Sequence, residues 1–150
     1  MTIVLPRRRL YRNSSMANRD AVFPANPHAL FELHRYSPAV RSNGHLFVSG
    51  QVGARQDGTP EPDLATQVQL AFDHLNAILE AAGCTFDDVV DVILFIVDPE
   101  KNFETIWPVL QKNWGQKPYP TATAVGVTWL AGFTFEIKVT ARLRDGDAAG

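Results

Sequence analysis

The residues of this chain that could carry metal or nucleophile chemistry are few, and their spacing fits none of the familiar sites. His28, His34, His45 and His74 lack the close pairing that brings two imidazoles to one zinc, and no carboxylate cluster accompanies them, so no metal is expected. Ser49 stands in Val48-Ser49-Gly50, without the flanking pattern that exposes a serine nucleophile at a tight elbow, and no base is nominated for it. Asp87, Asp88 and Asp91 fit a turn and a strand end better than a calcium loop, which alternates oxygen ligands around a glycine. Cys84 is the one cysteine, which excludes an internal disulfide and a thiolate metal site. It reads as a small buried residue of a protein from a reducing cytosol, and no cofactor is expected.

Whatever chemistry the chain performs must be positioned by its regular elements. At 150 residues and 45% hydrophobic content there is material for one domain with a real core and too little for two. Asn43-Gly44 between apolar stretches predicts a hairpin whose second strand holds His45 to Val48, and Asp57 to Pro60 reads as a loop. Leu64, Val68, Phe72, Leu75, Leu79 and Ala82 fall on one helical stripe that Gly83 ends. Val89 to Val97, interrupted only by Asp91, reads as a strand buried on both faces. A second helix is expected from about Phe103 to Trp114, starting late or kinking at Pro108, which lacks an amide.

Thr121 to Trp129 reads as a strand, and Phe133 to Leu143 alternates apolar and polar residues with the period of a half-buried strand. The order hairpin, helix, strand, helix, closing hairpin predicts an α+β mixed sheet with two helices packed on one face. Residues 26–145 are expected to form that domain, with 1–25 a flexible basic arm and 146–150 a flexible tail. Met16 is an alternative start, and the arginine-rich, acid-free composition of residues 1–19 also resembles a transit peptide. No apolar run reaches the ~18 residues of a membrane span, so a soluble, cytoplasmic protein is expected.

Charge bears on partners. The chain totals −2 and residues 1–19 carry +5, so residues 20–150 carry −7. A body of that sign repels phosphate, which makes nucleic acid an unexpected partner. Gly50-Gln51-Val52-Gly53 has the letters of a GxxG loop without the basic helical context of an RNA-binding module, and reads as a turn ending a strand.

Read together and in order, Tyr36-Ser37-Pro38-Ala39-Val40, Val48-Ser49-Gly50-Gln51, Glu80-Ala81-Ala82-Gly83, Ile96-Val97-Asp98, Pro120 and Glu136-Ile137 resemble the RidA (YjgF/YER057c/UK114) family of imine and enamine deaminases. No single piece is specific; the ordered set, over roughly residues 30–144, is. The resemblance implies a chorismate-mutase-like fold and a homotrimer, with a small-molecule ligand in each inter-subunit cleft. It also implies a cofactor-free hydrolase in which Glu136 orients or activates water, while Tyr36, Gly50, Trp107, Ala122 and Ala124 bind substrate. In the family an arginine two residues after the proline matching Pro120 clamps the substrate carboxylate; here that position is Ala122, which can donate nothing.

Each assignment has a plainer counterpart. Glu136 also fits an exposed or salt-bridged strand residue, Tyr36 a rim aromatic, and Trp107 a core or interface anchor. Arg35, beside Tyr36, is either a substitute cation or a solvated side chain. Three classes therefore stand open: a hydrolase of a small imine or enamine with altered specificity, a non-catalytic trimeric binding or interaction module, and, on charge the least favoured, an endoribonuclease.

Overall fold

The computed structural model describes residues 17–144, so the expected tail, Met16 and most of the basic arm lie outside the described residues. The elements run β1 (Asp20–Val22), α1 (Leu30–His34), β2 (Ala39–Ser42), β3 (His45–Val48) and β4 (Gln51–Val52), then α2 (Leu64–Ala81) and a 3-10 turn (Phe86–Asp88). They end with β5 (Val89–Val97), α3 (Pro99–Asn113), β6 (Thr121–Val127) and β7 (Phe135–Arg142). Asp20–Val22, assigned to the arm by sequence, is a strand antiparallel to β2, so regular structure begins before residue 26.

Local signals produced the expected local structure. Asn43 and Gly44 both take positive φ, 49° and 78°, the geometry of a two-residue turn that matches strand twist, and β2 pairs β3 across it from Ala39↔Val48 to Ser42↔His45. Asp63 caps α2 by accepting from the Thr66 amide at 3.0 Å. The stripe of Val68, Phe72, Leu75 and Leu79 is fully buried in one core with Phe135, Ile137 and Val139 of β7. At about 1.5–3 kcal/mol per large side chain, this packing of α2 on β7 is the main source of stability. Phe72→Ala would cost about 3–5 kcal/mol.

Three expectations are corrected. The chain does not close with a hairpin. The six-strand path is β1-β2-β3-β7-β5-β6, with β4 pairing β7 off it; β6 runs parallel to β5 after the α3 crossover, and β7 inserts antiparallel between β5 and β3. The second helix starts at Pro99, whose missing amide is harmless in the first turn, and passes through Pro108, where Glu104 and Pro108 are both exposed and water can serve the freed carbonyl. Finally, β5 is buried on alternate residues, Val92, Leu94 and Ile96, because helices cover one face only; Ile93 and Phe95 on the other face are half-buried.

The sheet therefore has a helix side, carrying α2 and α3, and an opposite side. At its outer edge β6 is exposed along almost its whole length.

Candidate functional site

Alternation along β7 sends Phe135, Ile137 and Val139 into the core and turns Glu136 and Lys138 to the face away from α2. There Glu136 lies opposite Val52 and beside Gly50. A Cβ at Gly50 would fall 2.5 Å from the Glu136 carboxyl carbon and within 2.9 Å of both its oxygens, so the carboxylate rests on backbone that only glycine leaves bare. A cleft of about 700 Å3 opens over this contact, walled by Tyr36, Ser49, Lys138, Leu130, Phe133 and Trp129.

The walls are fixed from behind. The Tyr36 ring packs edge-on against Phe31 at 5.0 Å, and its amide donates to the Phe31 carbonyl. Ser49 is tied to the preceding loop by its hydroxyl, which donates to the Ser37 carbonyl at 2.7 Å, and by its amide, which donates to the Pro38 carbonyl. Lys138 Nζ donates to the Val48 carbonyl at 3.0 Å. The buried Gln67 of α2 secures the start of β7: its Oε1 accepts from the Thr134 and Phe135 amides, while its Nε2 donates to the Glu61 carbonyl.

The electrostatics suit proton transfer. Burial raises the Glu136 carboxyl above the ordinary glutamate value, with the Lys138 charge opposing the shift. Burial, and then the Glu136 charge, push the Tyr36 phenol up, so it remains a hydrogen-bond donor beside the carboxylate. Glu136 makes no ion pair among the described residues, contrary to the salt-bridged reading of its strand position.

The residues singled out by sequence do not form one constellation within the chain. Tyr36, Gly50 and Glu136 share the cleft. Ala122 and Ala124 pair with Val92 and Leu94, whose side chains face the helices, and they line a separate groove of about 540 Å3 with Trp107, Phe103, Leu110 and Tyr119. Trp107 is stacked on Phe103 and half exposed, so it is not the core anchor of its plainer reading. Arg35 ends α1 in the left-handed region, φ 56°, and faces a neighbouring cleft with Arg19 and Glu32.

Lys138 and Trp129 were missed. A lysine on the polar face of an alternating strand looks like any solvated charge, and Trp129, 75% exposed, falls in the link between strands. Histidine chemistry is not assembled: His28 is buried against Phe31, and burial followed by the His74 charge lowers it to about 4, so it stays neutral. Among the described residues, no group of three or more histidines, cysteines or carboxylates could hold a metal, and no helix is long and apolar enough to cross a membrane.

Known proteins share this fold. The model of the Endoribonuclease L-PSP family matches residues 26–143. The RutC family protein YjgH of Escherichia coli K12 is 62% identical over 128 residues, 85% of this chain and 98% of that protein. A 2-iminobutanoate/2-iminopropanoate deaminase of Dermatophagoides farinae is 32% identical over 99 residues, 63% of this chain and 74% of that protein. Among solved structures, YjgH superposes with a TM-score of 0.82 at 61% identity, covering 86% of this chain and 99% of that one. RidA of the Antarctic bacterium Psychrobacter sp. PAMC 21119 superposes with a TM-score of 0.73 at 28% identity, covering 83% and 99%. In both its fold and its sequence over residues 26–143, the chain belongs to the Endoribonuclease L-PSP family, the RidA/YjgF family, with its chorismate-mutase-like fold.

Proposed function

We propose that this protein is a cofactor-free hydrolase of a small imine or enamine, with a specificity changed by Ala122 at the clamp position. The observation that carries the reading is the Glu136 carboxyl seated on the bare backbone of Gly50, in the same cleft as Tyr36. A carboxyl of raised proton affinity accepts a proton from water as its oxygen adds to the C=N carbon. It then returns that proton to nitrogen, which enters as a protonated imine, and takes up the hydroxyl proton in turn as the C–N bond breaks, so ammonia leaves a carbonyl product. An enamine enters the same route once its carbon is protonated. A relative is named as a 2-iminobutanoate/2-iminopropanoate deaminase, which supports the reaction class.

The working unit in this reading is a cytoplasmic homotrimer. The exposed β6 and the exposed Trp107, Tyr119 and Trp129 support it, because an apolar, unpaired edge of this kind is what a neighbouring copy covers. A second copy is also the only means of bringing the Ala122 groove against the Glu136 cleft, since one chain holds them on opposite faces. Light scattering should return about three times the 16.6 kDa chain mass; a monomer at micromolar concentration removes the shared cleft.

Glu136→Gln tests the chemistry. The amide keeps the shape and cannot take the proton, so turnover should vanish with assembly and ligand affinity intact. A second reading, a binding module without a reaction, is favoured by the groove's apolar walls; it predicts that Glu136→Gln alters stability or assembly and no turnover. The family model's name supplies an endoribonuclease label, which the −7 charge on residues 20–150 opposes.

A further inference from the structure

Ala122 leaves the wall on which the resemblance placed a cation with only a methyl group. The Glu136 cleft contains a cation of its own. Lys138 follows Glu136 by two residues on β7, so the two side chains leave the same face of the strand about 7 Å apart along it. Lys138 is exposed, and its Nζ donates to the Val48 carbonyl at 3.0 Å, a bond that draws the ammonium to the cleft wall. An ammonium has three N–H donors, and that bond uses one. No carboxylate among the described residues lies within ion-pairing distance of it. The other ionisable groups on the cleft wall are Glu136, Tyr36 and His34.

We propose that Lys138 is the anion-binding residue of this cleft, receiving the carboxylate of a small substrate whose apolar part lies against Phe133, Leu130 and Trp129. The inference rests on the hydrolase reading for its substrate and adds the group that selects it. An anion held there lies close to the Glu136 carboxylate, so its binding needs the positive charge to offset that repulsion. The Lys138 charge already acts on Glu136, which agrees with its nearness. A point charge on a single tether accepts carboxylates without demanding the paired geometry of an arginine fork. The site therefore favours small monocarboxylates with an apolar flank over dicarboxylates, which would set a second charge among apolar side chains.

Benzoate and benzamide test this without turnover, because they share a ring and differ in charge. Isothermal titration of the assembled protein should show benzoate binding more tightly than benzamide. Lys138→Met should weaken benzoate at least tenfold and leave benzamide unchanged; Lys138→Arg should keep benzoate within about threefold, since it keeps the charge. Arg35→Met should leave benzoate unchanged. The proposal is overturned if benzamide equals benzoate in the unaltered protein, if neither binds, or if Lys138→Met spares benzoate. It is equally overturned if Arg35→Met removes benzoate binding, or if Lys138→Met and Lys138→Arg lose both ligands alike, which would make Lys138 a wall. The hydrolase reading fails separately, through Glu136→Gln that retains turnover, and that result leaves the benzoate comparison untouched.

Discussion

The cleft over Gly50 and the groove under Trp107 lie on opposite faces of one sheet and differ in nearly every property that matters for chemistry. The cleft is built from β7 and the loops ahead of β4, holds a half-buried carboxyl and an ammonium bonded to its wall, and is braced by hydrogen bonds to Pro38, Ser37 and Val48. The groove is built from β6 and α3 and is lined almost wholly by aromatic rings and methyl groups. Charged groups concentrate where strand alternation turns polar residues away from the helices. The groove has the composition of a surface made to be covered.

The sharpest test of this division is loss of the carboxyl. Glu136→Gln should cut turnover of any substrate about 10²–10⁴-fold, and Gly50→Ala should do comparable damage by driving a methyl group into the carboxyl it now supports, both measured as kcat against unchanged trimer mass. Equal losses from Trp107→Ala would break the comparison by making the groove a reacting surface.

A gain is expected from the opposite face. 2-Iminopropanoate, whose single methyl group covers little of the Phe133, Leu130 and Trp129 wall beside Lys138, should be hydrolysed slowly by the protein as it stands, and Ala122→Arg should raise kcat/KM about 10- to 150-fold by adding a second cation, the worth of a charge-assisted hydrogen bond of about 1.5–3 kcal/mol. No gain would mean that the groove of one copy does not meet the cleft of another.

Trp107→Ala should do less. Half exposed in the single chain, Trp107 contributes little to its folding, so thermal unfolding of a dilute, dissociated sample should barely change. Ligand affinity and trimer stability should each fall by about 1–2 kcal/mol if the ring is a wall of the shared cleft. A pure folding defect would return Trp107 to the role of a structural anchor.

The smallest effect separates the faces by pH. Burial raises the Glu136 proton affinity in the folded chain, so the ionised form destabilises the fold at neutral pH, and that penalty disappears as pH falls through the raised value toward the ordinary 4.5. Glu136→Gln should therefore melt about 2–4 °C higher at pH 8, with the advantage gone near pH 4. A constant difference across pH would show that the carboxyl is not held in a desolvating site.

What the sequence revealed depended on distance along the chain. The Asn43-Gly44 hairpin and the α2 stripe were legible because a turn needs two residues and a helix repeats every few. The insertion of β7 between β3 and β5 was not, because strand pairing across so many residues leaves no local pattern. The separation of Ala122 from Glu136 followed from that same insertion. Pro108 misled for a different reason: proline penalties assume a carbonyl with no other partner, and α3 presents that carbonyl to water. Glu136 and Gly50 were each nominated only by resemblance and their contact not at all, since an alternating strand offers a glutamate without saying what lies beside it.

Gln67 carries a consequence beyond its place in α2. Its side chain joins the Glu61 loop to the first amides of β7, and its own backbone carbonyl lies where a side chain at Gly53 would have to go. The strand that carries the carboxyl in the cleft is thus secured by a residue on the far side of the sheet that does not line the cleft. A mutational library confined to the cleft would overlook it, while hydrogen exchange at the Thr134 and Phe135 amides would report on it directly. A substitution such as Gln67→Leu would release those amides to exchange and blur the direction of Glu136, so that in the hydrolase reading turnover should slow while the chain still folds.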